Sequence, residues 1–322
     1  MKVVLHSVVP RPMATRKPLD HAKSQAVDQH IRDAAQQAAA AGGLSAPLIE
    51  RFLRTGEETW EGAGSGRFSL AQFKEDEAYS RATAAALQNL LDRLADLLPA
   101  EAQADPLVSP ETIRQRIEPM VSGLVQADWR DVALHEITAR TFILNLPGTR
   151  KAVEAELSTC FMGSAWRVLW SLFEDYGLKP DDINVGCDGL AGDYAHVRWS
   201  AYHTDDPYSD VVVHEAAHML HYLKSSQYGF QVRRGQERFV DIEFHHRELF
   251  AYACEAYSRV VVHGDRKART AFAEKMPDAA FSFPRAEIKE VAALVLSAAR
   301  ARNGWRPLRE ATVIRRPQRR SP

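Results

Sequence analysis

The segment His214-Glu215-Ala-Ala-His218 constrains the fold most, because it places two histidines four residues apart within an apolar run. The flanking residues are compatible with a helix over about 209–223. Residues i and i+4 of a helix lie on one face, one turn apart. Two imidazole nitrogens at that spacing can reach one zinc ion at about 2.0–2.1 Å. The segment therefore predicts a helix that supplies two metal ligands, with Glu215 beside them as the base for a water molecule.

A hydrolytic zinc site needs a third protein ligand and an open position for water. His221 shares the face of His214, but it lies about 10 Å further along the axis, so a continuous helix cannot bring both to one ion with His218. We expect His221 to support a ligand or to face solvent. The residue three after His218 is not glycine, which excludes the metzincin pattern. The same histidine pair is also compatible with an inert polar face or a metal site without chemistry.

A second helical pattern, over about 241–263, supplies the candidates for the third ligand. One stripe of this predicted helix carries His245, Glu248, Tyr252, Glu255 and Arg259, a pattern that a solvated face would also give. Glu248 and Glu255 share that face, and about 10 Å of rise lets only one of them reach a given ion. Arg259 lies at i+4 from Glu255 and offers it an ion pair. We therefore predict Glu248 as the ligand, with Glu255, His245 or no third ligand as alternatives.

His214-Glu215-Ala-Ala-His218 followed by Glu248-Leu-Phe-Ala resembles the gluzincin group of zinc metallopeptidases, over roughly residues 190–262. The resemblance implies His214, His218 and Glu248 as ligands of one Zn²⁺ per chain, and Glu215 as the catalytic base. Members often place an Asp or Glu four residues after the third ligand, where it orients a ligand histidine. This chain has Tyr252 there, so the orienting group is left to Tyr252 or to another carboxylate.

The resemblance also bears on how a substrate binds. In the zincin fold a strand edge before the HExxH helix commonly pairs with an extended peptide, which here implies Tyr194–Tyr202, although an ordinary sheet strand fits equally well. The donor that stabilises a tetrahedral oxyanion is left open among His245, Tyr252 and Tyr257.

The rest of the chain predicts an α+β protein that is predominantly α-helical, with a zincin-like catalytic domain whose small β-sheet lies beside the HExxH helix, and a helical N-terminal region. Further helices are predicted over 20–41, 75–98, from Ser109-Pro110, over 149–176 and over 285–302, and a hairpin within 183–202. Residues 101–109 are interpreted as a linker. The predicted domains are a mainly helical region (1–178), a zincin-like metal-binding domain (179–308) and a basic, disordered tail (309–322).

Composition excludes several functional classes. Lys plus Arg is 41 and Asp plus Glu is 42, so the net charge of −1 argues against nucleic acid as a partner. No apolar run of about 18 residues predicts a membrane span. The three cysteines, Cys160, Cys187 and Cys254, are far apart and suit a reducing, cytoplasmic compartment.

These patterns predict a zinc-dependent hydrolase, a metallopeptidase that acts on a peptide or protein substrate. One alternative is a non-catalytic helical interaction protein whose structural metal is completed by His221, His245 or His246. Another is a zinc hydrolase of a non-peptide amide. The oligomeric state stays open.

Overall fold

The computed structural model describes residues 21–57, 70–159, 162–185, 189–191, 193–222, 244–276 and 288–312. The helices are α1 (His21–Gly42), α2 (Ala46–Thr55), α3 (Leu70–Ala95), α4 (Ala100–Ala104), α5 (Pro110–Leu124), α6 (Arg130–Ala139), α7 (Leu146–Ser158), α8 (Met162–Asp175), α9 (Trp199–Tyr202), α10 (Val211–Tyr222), α11 (Phe244–Val261), α12 (Arg266–Ala273), α13 (Ile288–Arg300) and α14 (Trp305–Thr312). The strands are β1 (Thr141–Leu144), β2 (Gly189–Ala191) and β3 (Ala195–Arg198). The predicted α+β class with predominant helix is confirmed.

The chain divides into two compact units, each built from segments that are distant in sequence. In the described residues, the helical unit comprises 21–57, 70–107, 142–159 and 162–185. The HExxH unit comprises 108–141, 189–191, 193–222, 244–276 and 288–312. The sequence interpretation instead draws one boundary between residues 178 and 179.

The helical unit has a core of aliphatic side chains and tryptophan. The predicted helices over 20–41 and 75–98 correspond to α1 and α3, while the pattern over 149–176 divides into α7 and α8. The indoles of Trp166 and Trp170 both donate to the carbonyl of Leu53, at 2.8 and 3.0 Å. Gly56 ends α2 at φ 69°, and a Cβ there would lie 2.7 Å from the Trp166 ring, so the turn requires glycine. The predicted linker over 101–109 is wrong at its start, where α4 forms.

In the HExxH unit, α5 begins where the sequence predicts. The Ser109 hydroxyl accepts a hydrogen bond from the amide of Thr112 at 3.1 Å, and Pro110 occupies the first turn. The HExxH helix α10 packs against α11, α5, β2 and β3. The small sheet therefore lies beside the HExxH helix, as predicted.

The hairpin predicted within 183–202 is present but shorter. Strands β2 and β3 pair antiparallel, with Leu190 opposite His196. The described strands form a sheet of order β1-β3-β2. The amide of Ala195 donates to the carbonyl of Arg140 at 2.8 Å, on the side of β3 away from β2.

The prediction that 194–202 forms a substrate-binding edge is therefore wrong. The backbone of β3 is paired on both sides within the sheet, so it has no open edge to offer a peptide. The segment also leaves the extended conformation at Trp199, where α9 begins.

The last helices complete the HExxH unit. Helix α14 packs against α11, α13 and α5, and its Trp305 side chain lies against Gly123, where a Cβ would overlap the indole. The predicted tail over 309–322 is wrong at its start, because α14 continues to Thr312. Residues 313–322 lie outside the described residues. Among the described helices, none has the length and apolar character needed to cross a lipid bilayer.

Candidate metal centre

Helix α10 brings the two motif histidines together in the interior. Its side chains from Val211 to Leu220 are all buried, since sheet and helices surround it. His214 and His218 are 2% and 6% exposed. Their Nε2 atoms lie 3.1 Å apart. The i, i+4 spacing thus directs the same nitrogen of both rings to one point, as the sequence predicts.

Helix α11 supplies the third group. Glu248 is 2% exposed, with Oε1 at 3.6 Å from the Nε2 of His218 and Oε2 at 3.9 Å from the Nε2 of His214. One ligand atom from each of the three residues lies within 4.8 Å of those of the other two. This set, His214, His218 and Glu248, is named the ligand cluster below. The structure therefore places Glu248, rather than Glu255, with both Nε2 atoms.

Glu255 lies on the other side of His214. Its Oε2 is 3.1 Å from the Nδ1 of His214. Its Oε1 accepts hydrogen bonds from the hydroxyl of Ser209 at 2.6 Å and from the amide of Asp210 at 3.1 Å. The sequence offers Glu255 an ion pair with Arg259, and in the structure both oxygens of Glu255 are directed at groups in α10 and just before it. The seven-residue spacing from Glu248 was visible in the sequence, whereas the contact with Nδ1 was not.

The pKa of His214 reflects this surrounding charge. Complete burial lowers it, but the hydrogen bond to Glu255 and the negative charges of Glu255, Glu215 and Glu248 outweigh that effect, so the pKa lies above the ordinary value for histidine. A position that favours a positive charge is electrostatically suited to a cation.

Glu215 lies next to the ligand cluster on α10 and is 1% exposed. Its carboxylate lies against the backbone of β2 at Gly189, where a Cβ atom would overlap Oε1 and Cδ of Glu215. Glycine at 189 therefore permits this approach. The sequence motif predicts Glu215, but nothing in the pattern connects it with Gly189.

The three oxyanion candidates have different positions. The ring of Tyr252 packs on His214, with centroids 4.5 Å apart, so Tyr252 belongs to the centre. Tyr257 follows Glu248 by nine residues, which turns it about 180° around α11. Its ring packs on Trp305, and its hydroxyl lies against Gly304. The prediction that Tyr257 could be the oxyanion donor is therefore wrong. The side chain of His245 lies outside the described residues.

An ion pair that the sequence does not indicate lies at the start of α10. Asp210 accepts from the amide of Val213 at 3.4 Å, and Arg116 of α5 approaches Asp210 within 3.6 Å. The guanidinium of Arg116 also lies 4.1 Å from the centroid of Tyr202. Burial raises the pKa of Asp210, and the charge of Arg116 opposes that effect; the pKa stays above the ordinary value. Arg116 and Asp210 are 94 positions apart in the sequence, so no local pattern reveals the pair.

A further histidine is buried on β3. His196 is 2% exposed, and burial lowers its pKa to about 3, so the ring is neutral at neutral pH. His196 opposes Leu190 across the hairpin. The sequence interpretation placed this residue in a strand without assigning it a role.

The alternative of a closed, four-ligand metal site depends on further histidines. His246 lies two residues before Glu248, about 160° away around α11. It is absent from the ligand cluster, which among the described side chains contains three ligand residues. The side chains of His221 and His245 lie outside the described residues.

Comparisons with protein-family models, with curated proteins and with solved structures gave no match. The gluzincin resemblance therefore stays a prediction carried by the residues of two helices, and the arguments that follow rest on the geometry of the ligand cluster.

Proposed function

We propose that this chain is a zinc-dependent hydrolase that cleaves peptide bonds. The observation that carries the proposal is the ligand cluster, in which two imidazole nitrogens and one carboxylate converge beside the buried Glu215. Its partner would be a peptide or protein substrate, and the cytoplasmic location predicted from the cysteines stays part of the proposal.

The donor set fits Zn²⁺. Two histidines and a glutamate are a ligand set of catalytic zinc sites, and bonds of about 2.1 Å in tetrahedral geometry separate the ligand atoms by about 3.4 Å. The two Nε2 atoms lie 3.1 Å apart, Oε1 of Glu248 lies 3.6 Å from Nε2 of His218, and Oε2 of Glu248 lies 3.9 Å from Nε2 of His214, so both carboxylate oxygens face the histidine pair at separations close to that value. A zinc ion held by these three residues would keep one position for water, which catalytic zinc sites require.

Zinc supplies Lewis acidity at such a site: it lowers the pKa of a water molecule and polarises a carbonyl group. Glu215 accepts a proton from the attacking water at a carboxylate oxygen and delivers it to the nitrogen of the leaving amine. The contact with Gly189 restricts where that carboxylate can point. The buried surroundings strengthen each of these electrostatic interactions.

The test compares the parent protein with Glu215→Gln. Each is incubated with a peptide library of broad sequence, and new termini are identified by mass spectrometry. We expect one zinc per chain in both proteins and cleavage by the parent alone, because the variant keeps every ligand and loses the base. Parental cleavage by Glu215→Gln would refute this role. A zinc-loaded parent that cleaves no peptide would refute the peptidase proposal, and assays on non-peptide amides would follow.

A further inference from the structure

Both carboxylate oxygens of Glu255 have hydrogen-bond partners, and the direction of the bond is fixed at Oε1. The amide of Asp210 can only donate, so Oε1 of Glu255 is an acceptor there, and the hydroxyl of Ser209 also lies on Oε1. Oε2 is left to face the Nδ1 of His214 at 3.1 Å. Glu255, Ser209 and Asp210 are 0%, 4% and 6% exposed, so water does not compete for these groups.

We propose that Glu255 is a positioning residue, which holds His214 in the tautomer with hydrogen on Nδ1 and so presents the bare Nε2 to the metal. This inference rests on the proposed zinc site and deepens it. A carboxylate accepts and does not donate, so Nδ1 must carry the hydrogen. The neutral ring then has its lone pair on Nε2, the atom that faces His218 and Glu248.

The arrangement differs from the one that the gluzincin resemblance implies. There the orienting carboxylate comes four residues after the third ligand, where this chain has Tyr252 with its ring against His214. Glu255 comes seven residues after Glu248, two turns along the same face of α11, and meets the opposite nitrogen of His214. Ser209 and Asp210, immediately before α10, hold its other oxygen.

The diagnostic variant is Glu255→Gln, which keeps the shape of the side chain. Its amide oxygen can still accept from Ser209 and Asp210, and its NH₂ group then faces Nδ1 of His214. An NH₂ group donates, so the neutral ring must accept at Nδ1 and carry its hydrogen on Nε2, the atom needed for the metal. We therefore expect the tautomer to switch and zinc to bind about 10- to 100-fold more weakly.

The tautomer is read directly by two-dimensional NMR of metal-free protein with ¹⁵N-labelled histidine, at alkaline pH where the rings are neutral. The His214 signals are assigned by their loss in His214→Asn. The parent should show hydrogen on Nδ1 and Glu255→Gln should show it on Nε2. Hydrogen on Nε2 in the parent, or the same tautomer in both proteins, would overturn the inference.

Zinc affinity, measured by competition with a chelator, provides the second readout. Ser209→Ala removes one hydrogen bond from Glu255 and keeps its charge, so we expect the parental tautomer with affinity about threefold to tenfold weaker. The matched control is Glu274→Gln, the same change at an exposed position of the HExxH unit, which should bind zinc like the parent. If Glu255→Gln does not fold, as judged by circular dichroism, a switched tautomer or parental affinity in Ser209→Ala would overturn the inference.

The outcomes separate this inference from the proposed function. If both His218→Ala and Glu248→Ala bind zinc with parental affinity, the proposed metal site itself is refuted. Loss of zinc in those variants, together with parental affinity and tautomer in Glu255→Gln, would leave the proposed function standing and refute the role of Glu255.

Discussion

The two units bury different kinds of side chain. The helical unit encloses aliphatic and aromatic groups and buries two carboxylates, Glu156 and Glu174. Glu174 lies 3.7 Å from the ammonium of Lys179. The HExxH unit buries a dense group of ionisable residues on and around α10, namely His196, Arg198, Asp210, His214, Glu215, His218, Glu248 and Glu255. Both statements refer to the described residues.

The difference shows where the fold accepts an energetic cost. Removing ionisable groups from water is unfavourable unless they bind one another or an ion. The helical unit avoids that cost almost entirely. In the HExxH unit the negative charges of Glu215, Glu248 and Glu255 lie around two histidines, and a bound cation would balance them.

The largest expected effect concerns the metal. His218→Ala removes one of the three proposed zinc ligands, so zinc affinity should fall by more than about 100-fold, beyond the loss expected for a residue that only supports a ligand. His135→Ala, an exposed histidine of the same unit, should bind zinc like the parent. Metal analysis and chelator competition on both variants give the answer. Equal zinc content in His218→Ala and His135→Ala would contradict the idea that the buried ionisable groups of the HExxH unit form a metal site.

The second effect concerns acid stability and His196. Its folded pKa is about 3 and its unfolded value about 6.5, so the unfolded state binds more protons between these values. Stability contributed by neutral His196 is complete above pH 6.5 and is lost as the pH falls towards 3, by about 5 kcal/mol in total. His196→Gln should lack this loss.

Urea unfolding of metal-free parent and variant across that pH range measures the difference. Taking the difference between the two proteins cancels the contribution of carboxylates that titrate in the same range. If the free energies of unfolding of parent and variant change in parallel with pH, buried His196 does not contribute to the loss of stability in acid.

The third effect concerns the helical unit alone. Trp170 is fully buried and donates to the carbonyl of Leu53. Trp170→Ala should destabilise the helical unit by about 3–5 kcal/mol through the cavity it leaves. Zinc affinity should not change, because the ligand cluster belongs to the other unit. Hydrogen exchange with mass spectrometry locates the loss of protection. A fall in the zinc affinity of Trp170→Ala, measured at a temperature where the variant is folded, would contradict this independence of the two units.

The smallest effect concerns a helix start in the HExxH unit. Ser109→Ala removes the side-chain acceptor for the amide of Thr112, which should cost about 1 kcal/mol. Ser109→Asp retains an acceptor and serves as the control. Thermal unfolding of the two variants should place Ser109→Asp near the parent. Parental stability in Ser109→Ala would mean that the cap contributes nothing at this site.

Local sequence was sufficient for the long helices and the motif. Repeated apolar spacing predicted α1 and α3, and the pair Ser109-Pro110 marked the start of α5, because these signals depend on neighbours within one or two turns. Short elements such as α2, α6 and β1 were missed. They bury one face only after other segments pack against them, so their sequences carry little periodicity of their own.

The choice between Glu248 and Glu255 shows the same limit at the candidate site. The sequence put both on one face of α11, and helical rise showed that only one could join the cluster. Which nitrogen of His214 each carboxylate faces depends on how α11 packs on α10, and that packing is tertiary. Tertiary packing also determines the ion pair of Arg116 with Asp210 and the contact of Gly189 with the carboxylate of Glu215.

By itself, the sequence determined the helical class of the chain, the convergence of His214 and His218, and the candidacy of Glu215 and Glu248, because helical periodicity is a property of neighbouring residues. Only the tertiary structure decided that β3 lies between two strands, that Tyr257 faces away from the centre, and that Glu255 binds Nδ1 of His214. The contacts behind those outcomes join residues 41 to 55 positions apart, namely His214 with Glu255, Tyr257 with Trp305, and Arg140 with Ala195. Their distances are set by the packing of helices and strands, on which short-range sequence patterns carry almost no information.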